Sequence, residues 1–136
     1  MRFSAAIFDA FIACWDAKYR TDYLRPETAI RMLIDSSWSS PIQTPAFPEY
    51  PSGHSVVSTA VGTLSDSYYG QFIFTDSAEL EFGLGTRVFP SILAASKEAC
   101  MSRLYGGIHF IDAIENGKKL GAQVGEYHLK YLKTKK

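Results

Sequence analysis

The sequence predicts an all-α domain built as a small helical bundle. Apolar residues recur at three- and four-residue steps between positions 3 and 19, which is the period of an amphipathic helix. Three later segments, at about residues 52–69, 90–104 and 109–132, also have helical lengths and helix-end signals. No segment shows a convincing strand pattern, and no internal repeat divides the 136 residues. We therefore expect one domain over residues 1–136.

The first predicted helix is followed by a sharp turn. Its apolar residues are Phe3, Ile7, Phe8, Phe11, Ile12 and Trp15. Lys18 then falls in its last turn. Arg25 precedes a proline, which disfavours helical geometry at Arg25, and Pro26 suits the first position of a short helix over residues 27–34. We therefore expect the chain to turn at Arg25.

A proline- and serine-rich connection over residues 35–51 has no period of its own. Long connections in compact domains usually carry function or are disordered. The helix that follows is expected to begin at its cap, Ser52, and to stop at Gly70. The pair Gly106-Gly107 separates the last two helices.

Composition argues against several classes of partner. The chain is 46% hydrophobic and 21% charged, and its formal net charge of zero argues against a nucleic-acid surface or a polybasic membrane contact. No apolar run approaches the roughly eighteen residues of a membrane span. Asp9 interrupts the apolar N-terminal stretch, so we expect a soluble chain without a signal peptide. The compartment is not indicated, and export of a longer parent protein stays open. Cys14 and Cys100 are expected to be buried, reduced thiols.

Three separated blocks carry cationic and imidazole side chains. They are Lys18 with Arg25-Pro26, then Pro51-Ser52-Gly53-His54, then Ser102-Arg103 with His109. A tetrahedral oxyanion such as phosphate or vanadate needs several N–H donors around its oxygens, which arginines and helix N-termini supply. Gly53 lets the backbone approach such an anion closely, and His54 would lie beside it as a proton donor or acceptor.

Each block taken alone also has an ordinary explanation. A single lysine or arginine near a helix end is usually a solvated charge, and His54 is as readily an exposed histidine on a capped helix. The joint occurrence of all the specified identities is far beyond chance. The three blocks together therefore predict one oxyanion pocket.

The pattern Lys-x6-Arg-Pro, Pro-Ser-Gly-His, Ser-Arg-x5-His resembles one superfamily. That superfamily joins type 2 phosphatidic acid phosphatases (PAP2), bacterial class A acid phosphatases and vanadium-dependent haloperoxidases. The resemblance spans residues 18–109 and implies their all-helical bundle. The resemblance also implies which residues hold the oxyanion, namely Lys18, Arg25, Ser52, Gly53 and Arg103.

The resemblance also implies catalytic roles. His109 is implied to attack phosphorus in a phosphatase, or to be the single protein ligand of the vanadium of vanadate in a haloperoxidase. His54 is implied to be its acid–base partner. The superfamily usually has an aspartate four residues after this histidine, where this chain has Ala113. We expect Asp112, three residues after His109, to orient its ring, with a backbone carbonyl as the alternative.

Two aromatic residues favour the haloperoxidase branch. Trp15 lies three residues before Lys18 and Phe47 seven before His54, and this placement resembles haloperoxidases whose aromatic residues line the halide site. The alternative interpretation is that both are ordinary aromatic residues of the hydrophobic core. Residues 105–110, Tyr-Gly-Gly-Ile-His-Phe, also resemble bacterial haloperoxidase-like proteins. The resemblance thus implies oxidation of halide by hydrogen peroxide with vanadate as cofactor, and Lys18 polarising the peroxide.

Two alternatives stay open. One is a PAP2-type acid phosphatase that hydrolyses phosphomonoesters through a phosphohistidine and needs no cofactor. The other is an inactive fragment that only binds an oxyanion. Members of the superfamily have more helices before the lysine block, so this chain corresponds to the C-terminal catalytic part. The first and last helices are therefore expected to expose apolar faces, and we expect either a homo-oligomer or a piece of a longer protein.

Overall fold

The computed structural model describes residues 2–132, so Met1 and residues 133–136 of the predicted domain lie outside the described part. In chain order its elements are α1 (Arg2–Thr21), α2 (Pro26–Leu33), α3 (Gly53–Tyr69), β1 (Phe74–Asp76), a 3₁₀ turn (Leu80–Phe82), β2 (Arg87–Phe89), α4 (Ile92–Tyr105) and α5 (Ile111–Tyr131). The predicted helical bundle is confirmed. Each helix begins and ends within two residues of its predicted bounds.

The expectation of no strands is wrong at one place. β1 and β2 pair antiparallel, with Phe74 opposite Phe89 and Asp76 opposite Arg87. Each strand has three residues, which is too short to display an alternating pattern in the sequence. The rings of Phe74 and Phe89 stack at a centroid distance of 5.6 Å. Tertiary packing of this kind decides the pairing, because the strands are too short to specify it.

The central helix is α3, which packs against α1, α4 and α5. Small side chains form its contact with α1, where Ala10 and Cys14 meet Val56 and Ala60 in the buried core. On α5, a Cβ added to Gly121 would lie 2.2 Å from the carbonyl oxygen of Val56. The helix backbones therefore approach each other closely, which fixes α3 at the middle of the bundle.

Local sequence sets the helix ends that surround the predicted site. The Ser52 Oγ caps α3 by accepting a hydrogen bond from the Ser55 N–H at 3.4 Å. Between α4 and α5, Gly107 has a φ of 70°, a left-handed conformation that favours glycine. This turn brings Arg103, at the end of α4, to the same side of the bundle as His109.

The large apolar residues of α1 face outward. Those exposed are Ile7, Phe8, Phe11 and Ile12, whereas the fully buried residues of this helix are Ala6, Ala10, Cys14 and Lys18. On α5, Tyr127 and Tyr131 are also exposed. The predicted exposure of apolar residues on the first and last helices is therefore confirmed.

The two cysteines agree with the prediction from composition, since Cys14 and Cys100 are both buried and unpaired. Burial raises the pKa of Cys14 to about 11, so it is a thiol at neutral pH. Within residues 2–132, no helix combines the length and the apolar character that crossing a bilayer requires.

Candidate active site

A cavity of about 220 Å³ opens beside the start of α3. Its wall consists of Phe11, Trp15, Pro45, Phe47, Gly53, His54, Val57, Ser58, Arg103, Ile108 and His109. Most of these residues are apolar, and the charged or titratable ones converge from the start of α3, the end of α4 and the turn after α4. A few convergent polar groups in an apolar wall are typical of a small-molecule site.

Both ring nitrogens of the buried His109 have partners. Nδ1 lies 2.7 Å from Oε1 of Glu49, and Nε2 lies 3.2 Å from Nη1 of Arg25. Because a carboxylate accepts and a guanidinium donates, the proton belongs on Nδ1 and the lone pair on Nε2. Burial lowers the pKa of His109, and the hydrogen bond that His109 donates to Glu49 opposes this shift without cancelling it. The ring is therefore neutral at pH 7.

The residue that orients His109 is Glu49, which corrects the expectation for Asp112. Glu49 is 1% exposed, and its Oε1 also accepts a hydrogen bond from the Phe110 N–H at 3.0 Å. Asp112 is exposed in the first turn of α5. The pairing could not be predicted from the sequence, because Glu49 and His109 are 60 positions apart in the chain. The one available signal is that Glu49 is the sole acidic residue of positions 36–53.

Lys18 and Arg25 lie behind the cavity wall. The Lys18 Nζ donates to the carbonyls of Pro48 at 2.8 Å and Glu49 at 3.0 Å, and the Arg25 Nε donates to the carbonyl of Phe47 at 3.0 Å. The Phe47 ring centre is 5.1 Å from the Lys18 Nζ and 5.0 Å from the Arg25 Cζ. Neither cation is among the residues that line the cavity, and their predicted role in holding the oxyanion stays a prediction.

Positive charge exceeds negative charge around the cavity. The cations Lys18, Arg25 and Arg103 are accompanied by one fully buried carboxylate, that of Glu49, among the described residues. Burial lowers the pKa of Lys18 to about 8 and also lowers the pKa of Arg25 and of Arg103. The Arg103 Nε is buried without a hydrogen-bond partner in the part of the chain that the structure describes. A desolvated cationic group with an unpaired donor favours an anion.

His54 lies in the first turn of α3, and its imidazole borders the cavity. Partial burial lowers the pKa of His54, and the positive charge of Arg103 lowers it further. The ring is therefore neutral at pH 7 and can accept a proton from a molecule in the cavity.

The two aromatic residues predicted for a halide site both line the cavity. Trp15 and Phe47 lie ring to ring, with centroids 5.1 Å apart. The Lys18 Nζ lies 5.8 Å from the Trp15 ring centre. An apolar surface backed by a positive charge is suited to a weakly hydrated anion.

The structure thus brings most of the predicted residues to one place. Those on the wall are Trp15, Phe47, Gly53, His54, Arg103 and His109. Those behind it are Lys18, Arg25 and the helix cap Ser52, and the wall residues that the sequence analysis missed include Phe11 and Ser58.

Fold and cavity together define an all-α domain with a cationic, histidine-containing cavity. The family model named VCPO second helical-bundle domain matches residues 1–38 and 32–135 of this chain. The chain therefore belongs to this family, within the vanadium haloperoxidase and PAP2-like superfamily. None of the curated proteins matched.

Solved structures agree with this assignment. A bacterial vanadium-dependent iodoperoxidase is 49% identical, with a TM-score of 0.89 over 94% of this chain and 32% of its own. A holo-type bacterial vanadium-dependent chloroperoxidase is 25% identical, with a TM-score of 0.79 over 93% of this chain and 34% of its own. This chain spans about a third of the length of these relatives.

Proposed function

We propose that this chain forms the catalytic bundle of a vanadium-dependent haloperoxidase, which oxidises halide with hydrogen peroxide. His109 is the vanadate ligand. The observation that carries the proposal is the orientation of this ring, because its Nδ1–H donates a hydrogen bond to Glu49 and its Nε2 lone pair faces Arg25. The similarity to an iodoperoxidase supports iodide as the halide.

The residues present fit an oxyanion better than a bare metal cation. Within the described residues, no group of three or more His, Cys, Asp or Glu side chains could hold a metal ion. The unpaired Nε of Arg103 and the backbone N–H of Gly53, at the start of α3, instead suit the oxygens of vanadate. When bound, vanadate would activate hydrogen peroxide toward a two-electron oxidation of halide, with no change in the oxidation state of vanadium.

Two residues supply proton transfer and charge in this proposal. His54, neutral at pH 7, accepts a proton from hydrogen peroxide as it enters and returns a proton to the departing oxygen. Lys18 contributes positive potential from behind Phe47, which polarises the peroxide and attracts the halide.

The aromatic wall forms the halide site. Trp15 and Phe47 offer an apolar surface that removes part of the hydration shell of the halide. A less hydrated halide is a stronger nucleophile toward the peroxide oxygen. The free-energy cost of losing hydration is smallest for a large, weakly hydrated ion such as iodide, so binding at this surface again favours iodide.

Phosphate-ester hydrolysis is the second candidate, and the same ring nitrogen favours it. Once the oxyanion takes over the hydrogen bond of Arg25 Nη1, the Nε2 lone pair of His109 would attack phosphorus, and His54, protonated below its lowered pKa, would protonate the leaving group. The third candidate is oxyanion binding without catalysis, because the chain spans a third of its relatives.

One experiment separates these functions. The protein is loaded with orthovanadate and assayed for iodide oxidation in peroxide, and a vanadate-free sample is assayed with a chromogenic phosphate ester. Iodide oxidation supports the proposal, ester hydrolysis alone supports the phosphatase, and phosphate binding without either reaction supports the third candidate. His109→Ala should abolish the activity found. His128→Ala is the control, because His128 bonds Asp9 away from the cavity and its loss should leave activity intact.

A further inference from the structure

We infer that Glu27, in the first turn of α2, is a positioning residue that holds the oxyanion-binding side chains in place through the proline-rich connection. The inference rests on the oxyanion site of the proposed function. Glu27 does not line the catalytic cavity. It acts instead on residues 38–44, the part of the connection that we call the bridge segment. The bridge segment lies between α2 and the turn that joins α4 to α5.

Both ends of the bridge segment are fastened to α2. The Thr44 hydroxyl donates a hydrogen bond to Oε2 of Glu27 at 2.5 Å, and the Arg31 Nε donates to the carbonyl of Trp38 at 2.6 Å. The two anchors are joined, because Oε1 of Glu27 lies 2.9 Å from Nη2 of Arg31. One carboxylate of α2 therefore sets the position of the whole segment.

Glu27 differs from the acidic partner of an ordinary surface ion pair. Its side chain is 19% exposed, whereas that of Arg31 is 48% exposed. The hydrogen bond from Thr44 lowers the pKa of Glu27, so the carboxylate is charged at neutral pH. Hydrogen bonds to a charged group are about twice as strong as neutral ones, while an exposed ion pair contributes little. The bond to the bridge segment is thus the main contribution of Glu27.

The middle of the bridge segment packs against the turn formed by Gly106 and Gly107. A Cβ added to Gly107 would lie 2.9 Å from Cδ of Pro41 and 3.1 Å from Cη2 of Trp38. A Cβ added to Gly106 would lie 2.7 Å from Cδ1 of Ile42. Contacts this close leave no free space between the segment and the turn, so the position of one determines the position of the other.

That turn carries two residues of the cavity wall. Arg103 lies in the last turn of α4, just before the turn, and His109 follows just after it. Between the turn and His109, the carbonyl of Ile108 accepts a hydrogen bond from the Arg25 Nη1 at 2.8 Å. A turn that moved away from the bridge segment would therefore displace Arg103 and His109 relative to Arg25. Misplacement by about 1 Å is enough to impair a site of this kind.

The test measures the binding of inorganic phosphate to vanadate-free protein by calorimetry. Glu27→Ala should weaken this binding roughly tenfold, the equivalent of about one charge-assisted hydrogen bond. Thr44→Val keeps the shape of the side chain without its hydroxyl and should also weaken binding, whereas Thr44→Ser keeps the hydroxyl and should not. Glu115→Ala is the matched control and should leave binding unchanged, because it breaks the exposed ion pair with Lys118, outside the bridge segment.

Calorimetry also separates positioning from a loss of stability. Partial unfolding lowers the number of phosphate sites per chain, whereas a displaced turn weakens the affinity of every site. Unchanged affinity in Glu27→Ala, with or without a lower number of sites, would overturn the inference, and so would equal weakening by Thr44→Ser and Thr44→Val. If the unaltered protein bound no phosphate, the oxyanion site and this inference would both be wrong. Phosphate binding without iodide oxidation would refute the haloperoxidase and leave the inference standing.

A second measurement needs no ligand. The Trp38 ring lies against Gly107, so its indole N–H signal in nitrogen NMR reports the contact between the bridge segment and the turn. Trp38→Phe distinguishes this signal from that of Trp15, the other tryptophan of the chain. Glu27→Ala should move the Trp38 signal, and Glu115→Ala should not. A Trp38 signal that is the same in both variants would overturn the inference.

Discussion

Replacing Glu49 by glutamine tests how His109 is held. The substitution keeps the shape of the side chain and removes its negative charge. Glu49 accepts two hydrogen bonds, at 2.7 Å from His109 and 3.0 Å from the Phe110 N–H, and both persist to a neutral amide oxygen. Charge-assisted hydrogen bonds are about twice as strong as neutral ones, so two bonds that each weaken by about 1 kcal/mol cost roughly 2 kcal/mol of unfolding free energy.

The same variant shifts the titration of His109. Glu49 raises the pKa of this ring against the larger effect of burial, so Glu49→Gln should lower the pKa further. A folded-state pKa below the ordinary 6.5 stabilises the protein above that pH, and this stability is lost as the pH falls through the folded value. In the variant the loss should extend to lower pH.

Urea unfolding measures the stability change, and nitrogen NMR of the imidazole measures the pKa and the proton position. Glu115→Gln is the matched control, because Glu115 is an exposed α5 residue paired with Lys118, and such surface pairs contribute about 0–1 kcal/mol. If Glu49→Gln matched Glu115→Gln in stability and left the His109 titration unchanged, the assigned role of Glu49 would be refuted.

Three further predictions follow from charge, packing and exposure. Sulfate, which keeps its charge near neutral pH, should bind more weakly as the pH rises through about 8, where Lys18 loses its proton; calorimetry should show that Lys18→Arg removes this decline. Gly121→Ala should cost about 1–3 kcal/mol in urea unfolding because its Cβ would strike the Val56 carbonyl. Gly85→Ala, which meets open space, should cost far less, and equal losses would count against the close helix approach. The exposed apolar side chains of α1, such as Phe8 at 67% exposure, should make the protein self-associate, so a monomer in micromolar light scattering would contradict the predicted homo-oligomer.

The helix bounds could be predicted because local signals set them. Ser52 caps α3 through its own side chain, and Gly107 supplies the left-handed turn between α4 and α5. The side of α1 that becomes buried could not be predicted from hydrophobicity. Its contact with α3 uses Ala10 and Cys14, because close helix approach selects small side chains over large ones.

The candidate site, too, could be predicted from the sequence only in part. The blocks around His54 and His109 predicted a shared cavity because their residue types all suit the binding of an oxyanion. The partner of His109 did not follow from spacing, since Glu49 reaches it across the fold. Nor did the sequence indicate that the ring of Phe47 would separate Lys18 from the cavity, because that placement depends on how the proline-rich connection folds.

The most direct measurement is a crystal structure of the protein soaked with tungstate, a tetrahedral oxyanion with a strong anomalous signal. An oxyanion site predicts an anomalous peak in the cavity, adjacent to Nε2 of His109 and with an oxygen about 3 Å from the Arg103 guanidinium. A cavity without such a peak, while tungstate binds elsewhere on the protein, would contradict it.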